Sequence, residues 1–331
     1  MRAFLIILLV FAGVLGIAAL YTRWQTRVIE ARYPPAGQMI DVDDVRLHFT
    51  DLRPDLPEKG TVLLIHGASG NEAEMRKALA PQLLQRGYRV ISIDRPGQGW
   101  STRPANTGAA GPDSQASLIR RAMEKHGVLK ALVGVHSLAG AIGLQLALDH
   151  AGFVQGLLLV SPVSHPWPGG IALYYTLSAS QVGSLFNHTL ALPLGQLLMS
   201  AAVHSVFAPQ APPPNQIENI KLPLVLRPAA FGHNATDVAS LYAFVKQQAP
   251  RYRGIRLPVA IISGSADTIV LTDIHSRSSA REIRGATLTI LPGVGHAPHW
   301  SHTANIVAEF EKLFIRVSKP PDPAAPARRR D

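Results

Sequence analysis

Ser137 stands in the stretch Gly134-Val135-His136-Ser137-Leu138-Ala139-Gly140, between the β-forming run Ala131-Leu132-Val133 and an apolar, helix-like run over residues 141–148. A serine at such a junction has two uses. Its hydroxyl can accept a hydrogen bond from a free backbone N–H and cap the helix. Or a sharp turn can hold the hydroxyl out toward a pocket as a nucleophile. The second use requires a base within hydrogen-bond reach, because a serine hydroxyl is a weak nucleophile by itself. The stretch alone leaves both uses open.

The elements that would position a base and an acid follow from hydrophobic patterning. Short apolar runs at 61–65, 89–93, 131–135, 154–160, 258–262 and 286–291 predict strands covered on both faces. Residues 39–42 and 45–49 predict two strands around an Asp43-Asp44 turn. Helical patterns at 72–86, 114–126, 271–283 and 303–317 alternate with the strands. This alternation predicts an α/β fold with a mostly parallel, doubly wound sheet and helices on both faces. It breaks between residue 162 and about 254, where proline clusters (Pro166, Pro168, Pro212 to Pro214) and apolar helical pieces at 171–178 and 194–204 replace any strand pattern. That segment reads as an inserted helical subdomain.

Ligands bind an open parallel sheet outside the carboxyl ends of its strands. The strand ends carry His66-Gly67-Ala68-Ser69-Gly70, Asp94-Arg95-Pro96-Gly97-Gln98-Gly99-Trp100-Ser101, His136-Ser137, Ser263-Gly264-Ser265-Ala266-Asp267 and Pro292-Gly293-Val294-Gly295-His296. A serine, an acid and a histidine thus end three strands on one edge, in the chain order Ser, Asp, His.

These five segments, in this order, resemble the α/β-hydrolase superfamily over about residues 38–316. The resemblance implies an α/β-hydrolase core at 33–161 and 255–317 with a helical cap at 162–254. It implies that Ser137 is the nucleophile, that His296 takes and returns its proton, and that Asp267 orients the imidazole. The backbone N–H groups of Leu138 and Ala68 are the implied oxyanion donors. No cofactor and no metal are implied. The elbow departs from G-x-S-x-G at two places, with Val135 before the serine and Ala139 after it; Gly134 and Gly140, one step away, are expected to relieve the turn. A serine at this position argues against relatives that use an aspartate nucleophile, such as haloalkane dehalogenases and epoxide hydrolases.

The implied reaction is hydrolysis of an ester or similar acyl compound through an acyl-enzyme. The same triad also serves lactone, amide and C–C hydrolysis and cofactor-free perhydrolysis. A non-catalytic binding protein on the same fold is the alternative of a different class. A Ser137 hydroxyl more than ~4 Å from His296 would favour it.

Other chemically capable residues read as structural. Asp94 fits a turn closed by aspartate hydrogen bonds, Asp237 a helix start and Asp273 a helix surface. His296, His299 and His302 are evenly spaced, but turn residues among them spoil a shared metal-binding face; His299 and His302 are expected to be loop hydrogen-bonders, as are His66 and His136. Trp100, Trp167, Tyr174, Tyr175, Phe186 and Phe231 are candidates to line an apolar pocket for a small lipophilic acyl substrate, or to pack the cap on the core.

Composition sets the remaining bounds. The 331 residues are 47% hydrophobic and 16% charged, with a formal net charge of +10 and no cysteine. A disulfide framework is excluded. The excess positive charge gathers at residues 1–32 and 316–331, leaving no basic stripe and no nucleic-acid motif. Residues 3–20 are uncharged and almost wholly apolar; at ~1.5 Å per residue they reach roughly 27 Å, about the hydrocarbon thickness of a bilayer. Tyr21 and Trp24 stand where interface anchors belong. Residues 1–32 therefore read as a single-pass membrane anchor. The alternative is a signal segment cleaved near Gly16-Ile17-Ala18, with a secreted or periplasmic product. Arg23, Arg27 and Arg32 favour a cytoplasmic body, whereas the short leading tail fits an exported one. Residues 318–331 are Pro/Ala-rich and basic and are expected to be disordered.

Overall fold

The computed structural model describes residues 1–104 and 111–318. Apart from Ser318, the expected disordered tail lies outside the described residues. The strands are β1 (Gln38–Val42), β2 (Val45–Leu52), β3 (Gly60–Ile65), β4 (Tyr88–Ile93), β5 (Ala131–His136), β6 (Val154–Val160), β7 (Val259–Gly264) and β8 (Thr287–Leu291). The helices are α1 (Arg2–Arg32), α2 (Glu72–Leu84), α3 (Pro112–Lys125), α4 (Ala139–Asp149), α5 (Leu173–Ser178), α6 (Gly183–Thr189), α7 (Ala191–Phe207), α8 (Gln216–Asn219), α9 (Pro228–Gln248), α10 (Ser276–Glu282), α11 (Pro298–Ser301) and α12 (Thr303–Ser318).

One sheet takes all eight strands in the order β1-β2-β4-β3-β5-β6-β7-β8. β1 and β2 form a hairpin and β2 pairs antiparallel with β4. Every pairing from β4 onward is parallel, as the apolar strand runs require. Apolar side chains of α3 and α4 pack on one face and those of α2 and α12 on the other. The order reverses around β3, so the loops after β3 and β5 flank the crevice where such sheets bind ligands. Ile65 is paired with Val135 across these strands, which brings Gly67 beside Ser137.

Among the described residues no strand lies between β6 and β7; α5 to α9 and two 3₁₀ turns fill that interval. The helix expected at 271–283 is shorter, beginning only at Ser276. The reason is local: Asp267 Oδ1 accepts the N–H groups of Ile269 and Val270, and Thr272 Oγ1 donates to the Gly264 carbonyl, so the chain is spent on a turn that fixes Asp267.

α1 is one unbroken helix of 31 residues. The apolar part is exposed along its length, whereas Thr22 and Ile29 are buried. Thr22 Oγ1 donates to the Thr189 carbonyl at 2.9 Å, and Glu30 pairs with Arg227 at 3.2 Å. Ile29 and Tyr33 join Leu192, Leu224 and Phe231 in an apolar cluster. The amino-terminal segment, read as an anchor over residues 1–32, is thus built into the helical layer from Tyr21 onward.

Val135 is accommodated by a different glycine from those expected. Its side chain is fully buried, and a Cβ placed on Gly143 of α4 would stand 2.9 Å from both of its methyl groups. Gly134 instead faces Phe310, and Gly140 faces Pro162 and the Val163 carbonyl. The methyls that a standard elbow lacks are therefore received one helical turn further on. Gly143→Ala is expected to destabilise the protein by about 1–3 kcal/mol through overpacking. In urea unfolding, Gly143→Ala should cost less in a Val135→Ala background than in the wild type, because Val135 is, with Leu157, one of the two side chains the new methyl would meet, giving a coupling energy above the few tenths of a kcal/mol seen between independent sites; strictly additive effects would disprove the compensation.

Candidate active site

β5 ends at His136 and α4 begins at Ala139, so the chain reverses within Ser137 and Leu138. Ser137 takes φ 54°, the left-handed region, which costs a residue with a Cβ roughly 1–2 kcal/mol. Its backbone holds that shape: the N–H donates to the Val160 carbonyl at 3.1 Å, and the carbonyl accepts from Gly140 and Val163 at 2.8 and 2.9 Å. The side chain caps nothing, since α4 has no side-chain cap. The Ser137 Oγ instead stands 2.9 Å from Nε2 of His296, inside the ~4 Å limit set above.

The other imidazole nitrogen, Nδ1, lies 2.8 Å from Asp267 Oδ2. Burial would raise the Asp267 pKa, but the bond from His296 and the two backbone N–H groups outweigh it, and the carboxyl sits below its ordinary value. An ionised Asp267 accepts the Nδ1 proton, which leaves the Nε2 lone pair facing the serine. Burial is also the main cause of a lowered His296 pKa, with Asp267 opposing it. All three groups are buried.

The loop after β3 packs directly on Ser137: a Cβ on Gly67 would lie 2.9 Å from the Ser137 Cβ. Among the described residues, neither the Ala68 nor the Leu138 N–H donates to another group. The loop is braced from below. His66 Nδ1 bonds the Gly67 carbonyl at 2.8 Å, and its Nε2 accepts the Arg95 N–H at 3.0 Å. Burial drives His66 down to about 4, consistent with a neutral ring that donates at one nitrogen and accepts at the other. The Arg95 guanidinium, fully buried, donates to the Gly67 carbonyl at 3.2 Å and to Asp237 Oδ2 at 2.7 Å. Arg103 meets the other Asp237 oxygen at 2.5 Å.

Asp237 is therefore not a helix start. It lies inside α9 on a buried stripe with Asn234, Leu241, Val245 and Gln248, and ties the helical layer to the loop after β3. The 3- and 4-residue spacing of that stripe was legible in the sequence, although the charge partner was not. Asn234 makes a second tie, accepting the Ser69 N–H at 2.7 Å. Asp94 behaves as expected: its carboxylate accepts from Trp100 N at 2.8 Å and Glu72 N at 2.6 Å, and it contacts His48 Nδ1 at 2.7 Å.

His136 bonds the His296 carbonyl through Nε2 at 3.0 Å. Its Nδ1 and the Nε2 of His299 each stand 2.8 Å from Glu74 Oε1. Neither N–H points along a hydrogen bond to that oxygen, so the trio is held by charge and contact. Burial pushes both Glu74 and His136 toward their neutral forms, but mutual attraction wins, lowering Glu74 and raising His136. His299, desolvated and beside the His136 charge, falls to about 4. Glu74 was missed in the sequence, for no local pattern ties a helix start to a strand end. These three donors lie within 4.8 Å of one another, the range in which a metal ion can be shared. At 2.8 Å the Glu74–His136 contact is that of a charge pair, and His299 stands at the same distance from Glu74 as a neutral ring. The evenly spaced histidines do not converge: His296 faces Ser137, His299 faces Glu74, and His302 bonds Ser301 at the surface.

The aromatic candidates divide. Tyr174, Tyr175, Phe186 and Phe231 form a chain of ring contacts, and the Tyr175 hydroxyl lies 3.3 Å from Ser69 Oγ. Trp100 instead bonds the Tyr33 carbonyl under the end of α1, and Trp167 packs on Tyr242 and His275. A cavity of about 940 Å³ opens between α1 and the loop after β4, lined by Ala19, Arg23, Arg27, Trp100 and Arg227, and no triad residue lines it.

Comparison with known proteins identifies the family of the fold. A family model described as alpha/beta hydrolase fold matches residues 60–303. The chain is 36% identical over 133 residues to the dihydrolipoyllysine-residue acetyltransferase component of the acetoin cleaving system of Cupriavidus necator, which covers 39% of this chain and 32% of that protein. The chain thus spans only about a third of that relative's length. It is 26% identical over 276 residues to a 2-hydroxy-6-oxononadienedioate/2-hydroxy-6-oxononatrienedioate hydrolase of Klebsiella pneumoniae, covering 80% of this chain and 91% of that one. Among solved structures it is similar to a malate-bound thermophilic esterase from Thermogutta terrifontis, with a TM-score of 0.68 at 19% identity, covering 86% of this chain and all of that one.

The Asp237 tie is directly testable. Asp237→Ala leaves the buried Arg95 without its carboxylate and is expected to cost about 3–5 kcal/mol in chemical unfolding. A loss under 1 kcal/mol would show that the pair does not hold the loop.

Proposed function

The chain belongs to the α/β hydrolase fold family, and from that premise we propose that it is a serine hydrolase acting on an ester or related acyl compound. One observation carries the reading: Ser137 Oγ, the two nitrogens of His296 and Asp267 stand in one line of contacts of 2.9 and 2.8 Å. Ser137 Oγ attacks the substrate carbonyl as its proton passes to His296 Nε2. The N–H groups of Ala68 and Leu138, free of other partners, receive the tetrahedral oxyanion. Collapse expels the leaving group, which takes the proton from His296. Water then gives a proton to His296 and attacks the acyl carbon, and Ser137 recovers its proton as the acid departs. Asp267 holds the ring throughout and stabilises its cationic form.

The substrate is read as small and lipophilic, from the aromatic chain that reaches the Ser69 turn through Tyr175. The structural neighbour titled an esterase acts within this range, whereas the relative named as a dioate hydrolase takes a charged dicarboxylate. We further read the protein as membrane-tethered through residues 3–20. The length of the exposed apolar helix and its continuity with a segment built into the body support retention of the anchor.

A fluorophosphonate probe applied to the purified chain reports an activated serine without knowledge of the substrate. Wild type is expected to label, Ser137→Ala to lose labelling entirely, and His296→Ala to label about 10²–10⁴-fold more slowly. Labelling that persists in Ser137→Ala would refute the assignment.

The pH profile is a second check. His296 must be neutral to accept the serine proton, so activity falls as pH drops through its pKa. Burial lowers that pKa, so the acid limb of kcat/KM on an ester probe should have its midpoint below the ordinary histidine value of about 6.5. A midpoint above that value would contradict the buried, neutral imidazole.

A further inference from the structure

The outer surface of the helical layer is depleted of charge. Between Asp149 and Glu218 the sequence contains no Asp, Glu, Lys or Arg. Much of this stretch is nevertheless at the surface. Leu173 on α5 is 80% exposed and Leu197 on α7 79% exposed; Val182, Leu185, Leu194 and Leu198 are exposed between and around them. They lie on α5, α6 and α7 and, for Val182, at the start of α6, which packs on both α5 and α7. Scattered apolar side chains are normal on a soluble surface, but a contiguous apolar face marks an interaction site.

α1 specifies where this face lies. Tyr21, the first residue after the apolar run, donates its hydroxyl to Gln196 Oε1 at 2.9 Å, and Thr22 bonds Thr189 at the junction of α6 and α7. Gln196 shares a helical turn with Leu194, Leu197 and Leu198. These leucines therefore stand at the level where the apolar run ends, which is the edge of the hydrocarbon when that run spans a bilayer. Arg23 and Arg27 follow at headgroup level, where basic groups meet anionic lipid.

We propose that the α5–α7 face docks into the surface of the same membrane that α1 crosses, with Leu173, Leu197 and Leu198 inserted below the headgroups. The proposal rests on the reading of α1 as an anchor. It has a consequence for the site, because α5 joins the two regions: Leu173 and Tyr174 are exposed, whereas the adjacent Tyr175 touches Ser69, next to the proposed oxyanion donor Ala68. A lipid-dissolved substrate would meet the protein on the element that contacts this turn.

The absence of native cysteine makes the test clean. Single variants Leu9→Cys, Leu173→Cys, Leu197→Cys and Leu129→Cys of the full chain are labelled with an environment-sensitive fluorophore and reconstituted in phosphatidylcholine–phosphatidylglycerol vesicles carrying shallow or deep doxyl lipids. Leu129, 71% exposed and outside the helical layer, is the solvent control. The Leu9 label should be quenched by the deep lipid, and the Leu173 and Leu197 labels by the shallow lipid at least threefold more than the Leu129 label. Labels at 173 and 197 no more quenched than at 129, with Leu9 quenched, would overturn docking while leaving the anchor intact. Blue-shifted labels at 173 and 197 that neither lipid quenches would assign the face to another protein chain and also overturn it. An unquenched Leu9 label would remove the anchor and the docking together.

Discussion

The site depends on a single backbone reversal at Ser137. A parallel strand must turn into a buried helix within two residues, and it does so only because one residue accepts a positive φ and its neighbours leave room. Three elements close in on that point. Gly67 approaches from β3, Gly143 on α4 leaves space for Val135, and the backbone beyond β6 supplies the partners that hold Ser137 in shape. The strained turn keeps the hydroxyl directed at His296 rather than at the start of α4.

Around this turn the protein has buried several charged groups, each held by hydrogen-bonding or oppositely charged partners. Asp267 is held by His296 and two amide N–H groups, Arg95 by Asp237, Glu74 by His136, and Asp94 by His48 and two further N–H groups. Such pairs contribute little net stability, because desolvation offsets attraction, but losing one partner is costly. Their value here is geometric. Arg95 and His66 fix the loop that carries Ala68, and His136 bonds the carbonyl of His296, so three loops from different strand ends keep one relative position.

The helical layer is tied to this core by charge at one end and to α1 by apolar packing at the other. Asn234 reaches the loop after β3 and Asp237 holds Arg95 of the loop after β4, while Leu192, Leu224 and Phe231 receive Ile29 and Tyr33. The layer between β6 and β7 is therefore the mechanical link between the amino-terminal helix and the candidate site. Substitutions in its interior and at its surface should have separable effects, the first on the loop after β3 and the second on what the outer face contacts.

The strands and their order of chemistry were legible in the sequence, because apolar runs ended by Gly, Ser, Asp and His announce buried strands and the loops at their tips. Ser137, Asp267 and His296 were singled out in this way, and the structure brings them into contact; the turn role of Asp94 was read likewise. The shortened helix at Ser276, the burial of Asp237 in mid-helix and the partnership of Glu74 with His136 and His299 were not. Each depends on a neighbour far away in the chain, and local patterning carries no record of such a neighbour. The same limit explains Val135: sequence marked it as an oddity in the elbow, but only the packing of β5 against α4 showed that Gly143 absorbs it. Sequence by itself determined which groups stand at the strand tips and that an apolar span precedes them, because both follow from local periodicity. Tertiary structure decided which of those groups touch and which glycine makes room, because contact between distant segments is set by how whole elements pack.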